Sequence, residues 1–183
     1  MIRTDDGFAP RDGIVEAAVQ DLTGTGSVEA AVDIQTLEPL IDSAQAGPSD
    51  WIRIARCIAE ASGSFDGFVV THGTDTLACT AAALCLALPG LRRPVIVTGA
   101  MLPLTEEGSD GRRNLRDALL AAGTGSPGVW VQFSGRRLHG ARVRKSHSSS
   151  FDAFEAGPWA APPLLPAARP GLNLLTPHKV GVF

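Results

Sequence analysis

Three short runs, "GFVVT" (67–71), "PVIVTG" (94–99) and "GVWVQF" (128–133), are separated by segments of helix length, and this alternation leaves few folds open. Residues that are apolar at consecutive positions, rather than at every second one, mark strands buried on both faces. Between the first two runs lies Thr76 to Leu88, apolar all round and closed by Pro89-Gly90. Between the second and third, a helix from about Ser109 carries Asn114, Arg116 and Asp117 on a wetter face. Strand, helix, strand in succession predict an α/β fold: an open, mainly parallel sheet with right-handed crossovers and helices on both faces. Upstream, Trp51, Ile54, Cys57 and Ile58 recur at helical spacing until Ser62-Gly63, which predicts an amphipathic helix with Ser49 as N-cap. Downstream, "SGRR" reads as a turn and "LHGARVRKS" as the second arm of a β-hairpin that ends the domain.

At 183 residues with 44% hydrophobic content, the chain can bury one good core and a small appendage. Residues 1–155 read as one Rossmann/flavodoxin-like, three-layer domain. From 156 to 172 the composition shifts to proline and alanine, with Pro158, Pro162, Pro163, Pro166 and Pro170, which is linker chemistry. Residues 173–183 read as the start of a second, truncated domain. Sixteen basic against nineteen acidic residues leave a net charge of -3, no footprint for a phosphate backbone, so nucleic acid is not expected as a partner. No apolar run reaches the roughly 20 residues of a membrane span. The N-terminus "MIRTDDGFAP" lacks the basic and apolar regions of a signal peptide, and a cytoplasmic location is expected. Cys57, Cys79 and Cys85 are odd in number and lack metal spacing; free thiols acting as small core residues are expected. His139, His147 and His178 form no i, i+4 pair or other metal spacing and are expected at the surface, so no metal is expected.

The first strand-to-helix junction, "THGTDT" (71–76), is the candidate site. In an open parallel sheet, ligands bind beyond the carboxyl ends of the strands. Gly73 permits a tight turn, while Thr74 offers a hydroxyl and Asp75 a carboxylate beside a helix N-terminus that favours anionic or polarised groups. The bland alternative is that Thr and Asp merely cap the helix, and on these residues alone the two readings weigh evenly. "GTGSVE" (24–29) and "GTGSPG" (123–128) lack the spacing of phosphate loops and read as turns.

"GFVVTHGTDTL" resembles the second signature of the asparaginase/glutaminase family, amidohydrolases with a threonine nucleophile. Further similar segments follow in family order: "PLIDSAQAGPSDW" (39–51), "RRPVIVTGAMLPL" (92–104), "SDGRRNLRDAL" (109–119) and "GARVRKSHSSSFDAF" (140–154). The Asp42-Ser43 pair and "SSSFDAF" are more similar to the cytoplasmic type I branch. The resemblance implies that Thr74 is the family's second catalytic threonine, Asp75 the carboxylate that binds the substrate's α-amino group, and Lys145 the lysine completing a Thr-Lys-Asp triad. It implies that Ser43 contacts the substrate's α-carboxylate, that the substrate is L-asparagine or its homologue L-glutamine, and that the full-length protein is a homo-oligomer without a cofactor.

The departures are specific. The family's first signature, a strand ending in TGGTI, holds the threonine that forms the acyl-enzyme, and that motif does not occur in this sequence. "MIRTDDGFAP" resembles the loop that follows it, with Met1 near the motif's end and Phe8 where the family carries a tyrosine; a phenyl ring cannot relay a proton. Ala44 and Ala46 replace polar and methionine side chains common around the substrate carboxylate. If the missing strand is central, two strands would face a slot, with buried unpaired backbone groups each costing on the order of 1 to 3 kcal/mol. A marginal chain is expected unless a segment such as "EAAVDIQTL" (29–37) fills it.

A threonine hydroxyl needs a base to take its proton, and a lysine serves when partial desolvation keeps it from full protonation. On a strand, Lys145 shares a face with Ala141 and Val143, opposite Arg142 and Arg144; the bland alternative is an edge-strand lysine that discourages aggregation. His72 is left out of the catalytic set, as a histidine at a strand end is more often a hydrogen-bonded rim residue. Two function classes stand: an L-asparaginase-like amidohydrolase, or an inactive fragment serving as an amino-acid-binding or dimerisation module. A transamidase subunit acting on aminoacylated RNA shares HGTDT, and the near-neutral charge argues against it.

Overall fold

The computed structural model describes residues 2–4, 7–9, 11–157 and 171–173, with backbone alone for 2–4 and 7–9. In chain order the elements are β1 (Ile2–Thr4), β2 (Gly7–Ala9), α1 (Ile14–Gly24), a 3-10 turn (Ser43–Gln45), α2 (Pro48–Ala61), β3 (Phe68–Thr71) and α3 (Leu77–Ala87). Then come β4 (Pro94–Thr98), α4 (Gly111–Thr124), β5 (Gly128–Phe133), β6 (Arg136–His139), β7 (Val143–Lys145) and β8 (Phe154–Ala156). Met1, the side chain of Phe8, the proline-rich stretch 158–170 and the terminal residues 174–183 lie outside the described residues.

The main sheet has the order β3-β4-β5-β6, parallel from β3 to β5 and antiparallel at β6. All five residues of β4 are buried, as its unbroken apolar run requires of a strand covered on both faces. One face carries α2 and α3: Ile54, Ile58, Leu77 and Leu84 close on Val95, Val97, Val131 and Phe133. The other carries α1 and α4, where Val19, Leu22 and Leu119 cluster together and Ala118 and Ala122 pack on Ile96. This is the expected open three-layer sheet.

Several expectations are corrected. Helix α2 is capped at Gly47, not Ser49: Pro48 occupies the first helical position, and the Asp50 carboxylate accepts the Gly47 N–H at 3.1 Å. Asn114, expected on a wet face, is 1% exposed. The helix before β4 is apolar all round as read, yet Leu86 is 66% exposed, and Cys79, expected as a core residue, is exposed. Cys57 and Cys85 are half-buried, and burial pushes the Cys85 thiol up to about 11; all three cysteines are free. The hairpin arm stops at His139. Gly140 N–H donates to the Val129 carbonyl, and a Cβ there would sit 2.9 Å from that oxygen and 3.0 Å from Cys85 Sγ, so the chain turns away. "VRK" forms β7, which pairs with β8 in a separate two-stranded sheet. The strands of the main sheet are contiguous, with no slot between them, and residues 29–37 form no strand. Among the described residues, the outer side of β3 has no strand partner.

Candidate active site

The site lies at the carboxyl end of β3. His72 N–H donates to Thr98 O at 2.8 Å and carries the β3-β4 ladder one step past the strand. The chain then turns at Gly73, where an added Cβ would lie 2.3 Å from Ser43 Oγ, closer than any side chain permits. Ser43, 6% exposed, thereby sits against the turn that presents Thr74. Thr76 Oγ1 fixes the two segments together by donating to the Ser43 carbonyl at 2.6 Å.

Helix α3 starts after Thr76 with no side-chain cap, so neither Thr74 nor Asp75 performs the bland capping role. Both face Lys145 instead. Lys145 Nζ donates to Thr74 Oγ1 at 2.9 Å and to Asp75 Oδ1 at 3.1 Å, across 71 and 70 residues of sequence. The lysine side chain is 21% exposed and the aspartate 63%. Core packing places the lysine. Its register partner on β8 is Phe154, 1% exposed, whose ring meets that of Phe133 edge-on at 4.8 Å. Val143 on the same strand packs against the main core, as expected, whereas Ala141 lies outside the strand and is exposed. Arg144 points the other way and pairs with Glu155 at 2.6 Å. An open cleft of about 350 Å³ is lined by Lys145, Ser146, His147 and Ser148.

His72 is bound on both ring nitrogens. Nδ1 lies 2.7 Å from the Gly73 carbonyl, which only accepts, so this nitrogen carries the proton and Nε2 accepts from Thr80 Oγ1 at 2.9 Å. Burial holds the imidazole below its ordinary range, against the opposing pulls of the Gly73 carbonyl and the Asp50 charge. Among the described residues no group of three or more His, Cys, Asp or Glu side chains could hold a metal. Nor is any helix among them long and apolar enough to cross a membrane.

Asp110 and Asn114 escaped the sequence reading. Asp110, 6% exposed, accepts Met101 N–H at 2.9 Å and Leu102 N–H at 3.2 Å, and Asn114 Nδ2 donates to Asp110 and to Gly99 O, each at 3.0 Å. The signal was present in "SDGRRN": a carboxylate and a carboxamide at i and i+4, one helical turn apart.

A parallel α/β domain with a threonine, a lysine and an aspartate converging beyond its strand ends is the class that fold and site define. The chain belongs to the asparaginase family: residues 5–168 match the family profile described as Asparaginase, N-terminal. It is 45% identical over 129 residues to an L-asparaginase of Thermococcus kodakarensis, covering 70% of this chain and 39% of that protein. It is 40% identical over 176 residues to L-asparaginase 1 of Escherichia coli strain K12, covering 95% and 51%. The solved thermostable L-asparaginase from Thermococcus kodakarensis superposes with a TM-score of 0.78 at 35% identity, covering 94% of this chain and 56% of that one. The chain therefore spans about half the length, or less, of the relatives it matches.

Proposed function

We propose that this chain serves an L-asparaginase reaction, in which L-asparagine and water give L-aspartate and ammonia through an ester on a threonine. The observation that carries the reading is the bridge of Lys145 Nζ between Thr74 Oγ1 and Asp75 Oδ1. In its neutral form the lysine takes the threonine proton, and the freed oxygen attacks the side-chain carboxamide carbon. The C–N bond breaks, ammonia leaves with a proton returned by Lys145, and water then cleaves the ester and restores the hydroxyl. Asp75, more than half exposed, holds the lysine and offers its carboxylate to the substrate's α-ammonium group. Ser43 faces the α-carboxylate. The resemblance gives the acyl-enzyme to the TGGTI threonine, a motif this sequence does not contain, so the proposal moves that role to Thr74, the hydroxyl that Lys145 reaches among the described residues. The two relatives described above, both named L-asparaginases, support the same substrate class. A cytoplasmic location and a homo-oligomer belong to the same proposal, on the type I resemblance alone.

The test is ammonia release from L-asparagine, with L-glutamine alongside, by the 183-residue chain and by its Thr74→Ala and Lys145→Met variants. Loss of at least about 100-fold in both variants is expected. Folded parent that binds L-aspartate yet releases no ammonia would instead leave the chain an amino-acid-binding module.

A further inference from the structure

Deepening the amidohydrolase reading, on which it rests, we propose that Asp110 and Asn114 are positioning residues, forming a buried clasp that sets the backbone beneath the turn presenting Thr74. The loop after β4 leaves the sheet next to the loop after β3. At Gly99 an added Cβ would fall 2.2 Å from the His72 carbonyl oxygen, so the two backbones touch one residue before the Gly73 turn. Whatever fixes Gly99 to Leu102 therefore fixes the floor under Thr74. The fixing groups are all on α4 and its approach. Asp110 Oδ1 accepts both the Met101 and Leu102 amides, Ser109 Oγ donates to the Leu102 carbonyl at 2.8 Å, and Asn114 Nδ2 reaches both Gly99 O and Asp110 Oδ2.

Asn114 also extends the clasp to a third strand. Its Oδ1 accepts the amide of Ser134 at 3.0 Å, at the turn after β5, where Ser134 has φ 49. One carboxamide thus uses both of its N–H donors and its carbonyl to tie the carboxyl ends of β4 and β5 to the N-terminus of α4. A polar network that is buried and satisfied is rigid, and a reacting group set on it is held to a fraction of an ångström. Neither residue touches Thr74, Asp75 or Lys145 among the hydrogen bonds described, so the action passes through backbone position.

The test compares parent, Asp110→Ala, Asp110→Asn and Leu119→Ala. In Asp110→Asn a carbonyl oxygen can still receive both loop amides, while its NH2 opposes that of Asn114. Leu119→Ala removes core volume on the same helix without touching the clasp. The readouts are amide exchange at His72, Met101 and Leu102 and the amide chemical shift of Thr74 by NMR, with kcat and KM for L-asparagine alongside. Asp110→Ala is expected to speed exchange at Met101, Leu102 and His72 about tenfold or more and to move the Thr74 resonance. It should lower kcat about 10- to 100-fold with KM changed less than about threefold. Asp110→Asn should fall between parent and Asp110→Ala, and Leu119→Ala should leave the Thr74 resonance and kcat at parent values. Exchange that rises at Met101 and Leu102 with His72 and Thr74 unmoved would overturn the proposal, and so would equal effects in Leu119→Ala. If the parent itself releases no ammonia, the hydrolase reading fails, while exchange and the Thr74 resonance still decide the clasp.

Discussion

Asp75 and Asp110 stand at equivalent places, each just before a helix that follows a parallel strand, and they do opposite things. Asp110 is 6% exposed and its carboxylate receives two backbone amides and a carboxamide from within about ten residues. Asp75 has a side chain 63% exposed and meets a lysine 70 residues away. Neither helix is capped by a side chain, so capping separates nothing here. The difference lies in what surrounds the carboxylate. After β4 the loop is long enough to fold back and supply donors, and the aspartate is consumed in holding it. After β3 the chain turns within a few residues, leaving hydroxyl and carboxylate free to meet Lys145 on another element. Local satisfaction marks the junction that supports; its absence marks the one available for chemistry.

The largest test of this contrast removes each carboxylate in turn. Asp110→Ala leaves three donors without their acceptor in a buried place and is expected to cost about 3 to 5 kcal/mol in urea unfolding. Asp75→Ala is expected to cost under about 1 kcal/mol, because the carboxylate it removes is mostly solvated, while abolishing ammonia release. Equal stability losses in the two variants would remove the distinction.

A second pair probes the backbones. At Gly99 an alanine Cβ would meet the His72 carbonyl oxygen at 2.2 Å, a backbone atom with no room to yield, and a loss of about 2 to 4 kcal/mol is expected. At Gly73 the obstacle is the Ser43 side chain, at 2.3 and 2.6 Å. Gly73→Ala should therefore be partly rescued by Ser43→Gly, whereas no single side-chain change should rescue Gly99→Ala. Thermal unfolding of the four variants measures both.

Much of this was legible in the residues. β4 and β5 read cleanly because strands covered on both faces are apolar at consecutive positions, with Thr98 and Gln132 the only polar residues in them, and the junction after β3 stood out because a polar cluster interrupted an apolar course. What was not legible depends on distant partners. β7 is too short to show a period and pairs across the loop that precedes Phe154; only Gly140, pressed on Val129 and Cys85, ends the preceding arm. Asn114 sits where an amphipathic pattern places solvent, and only the Gly99 and Ser134 backbone groups explain its burial. Lys145 reached the site through family likeness, since its own neighbours fit an edge strand equally well.

His72 joins the two junctions, and its titration gives a third test. Its folded pKa lies below the ordinary 6.5 because burial disfavours the charged ring. Between those two values the unfolded chain binds more protons than the folded one. Stability from this group is therefore complete above about pH 6.5 and is lost as the pH falls through the folded value. His139 is also lowered by burial and works in the same direction. Urea midpoints between pH 7.5 and 5 should fall less steeply in His72→Asn than in the parent, and unchanged steepness would mean that the buried ring is not what the acid limb reports.

The smallest expected effect comes from the two ion pairs of β7, which lie on opposite faces of three residues. Arg144 and Glu155 are 74% and 41% exposed at their side chains, and Lys145 and Asp75 are 21% and 63%. By distance the Arg144 pair is the closer, 2.6 Å against 3.1 Å, yet solvent screens it and ordering two long side chains offsets what remains. Arg144→Ala should change stability by no more than about 0.5 kcal/mol, with ammonia release at the parent rate. Lys145→Met should also leave stability nearly unchanged, since the methionine stem keeps the apolar contacts, but it removes the only cation bonded to Thr74 among the described residues. If the two variants behave alike in activity, the face of β7 turned to Thr74 is no different from the face turned to solvent, and the contrast between supporting and reacting carboxylates loses its chemical half.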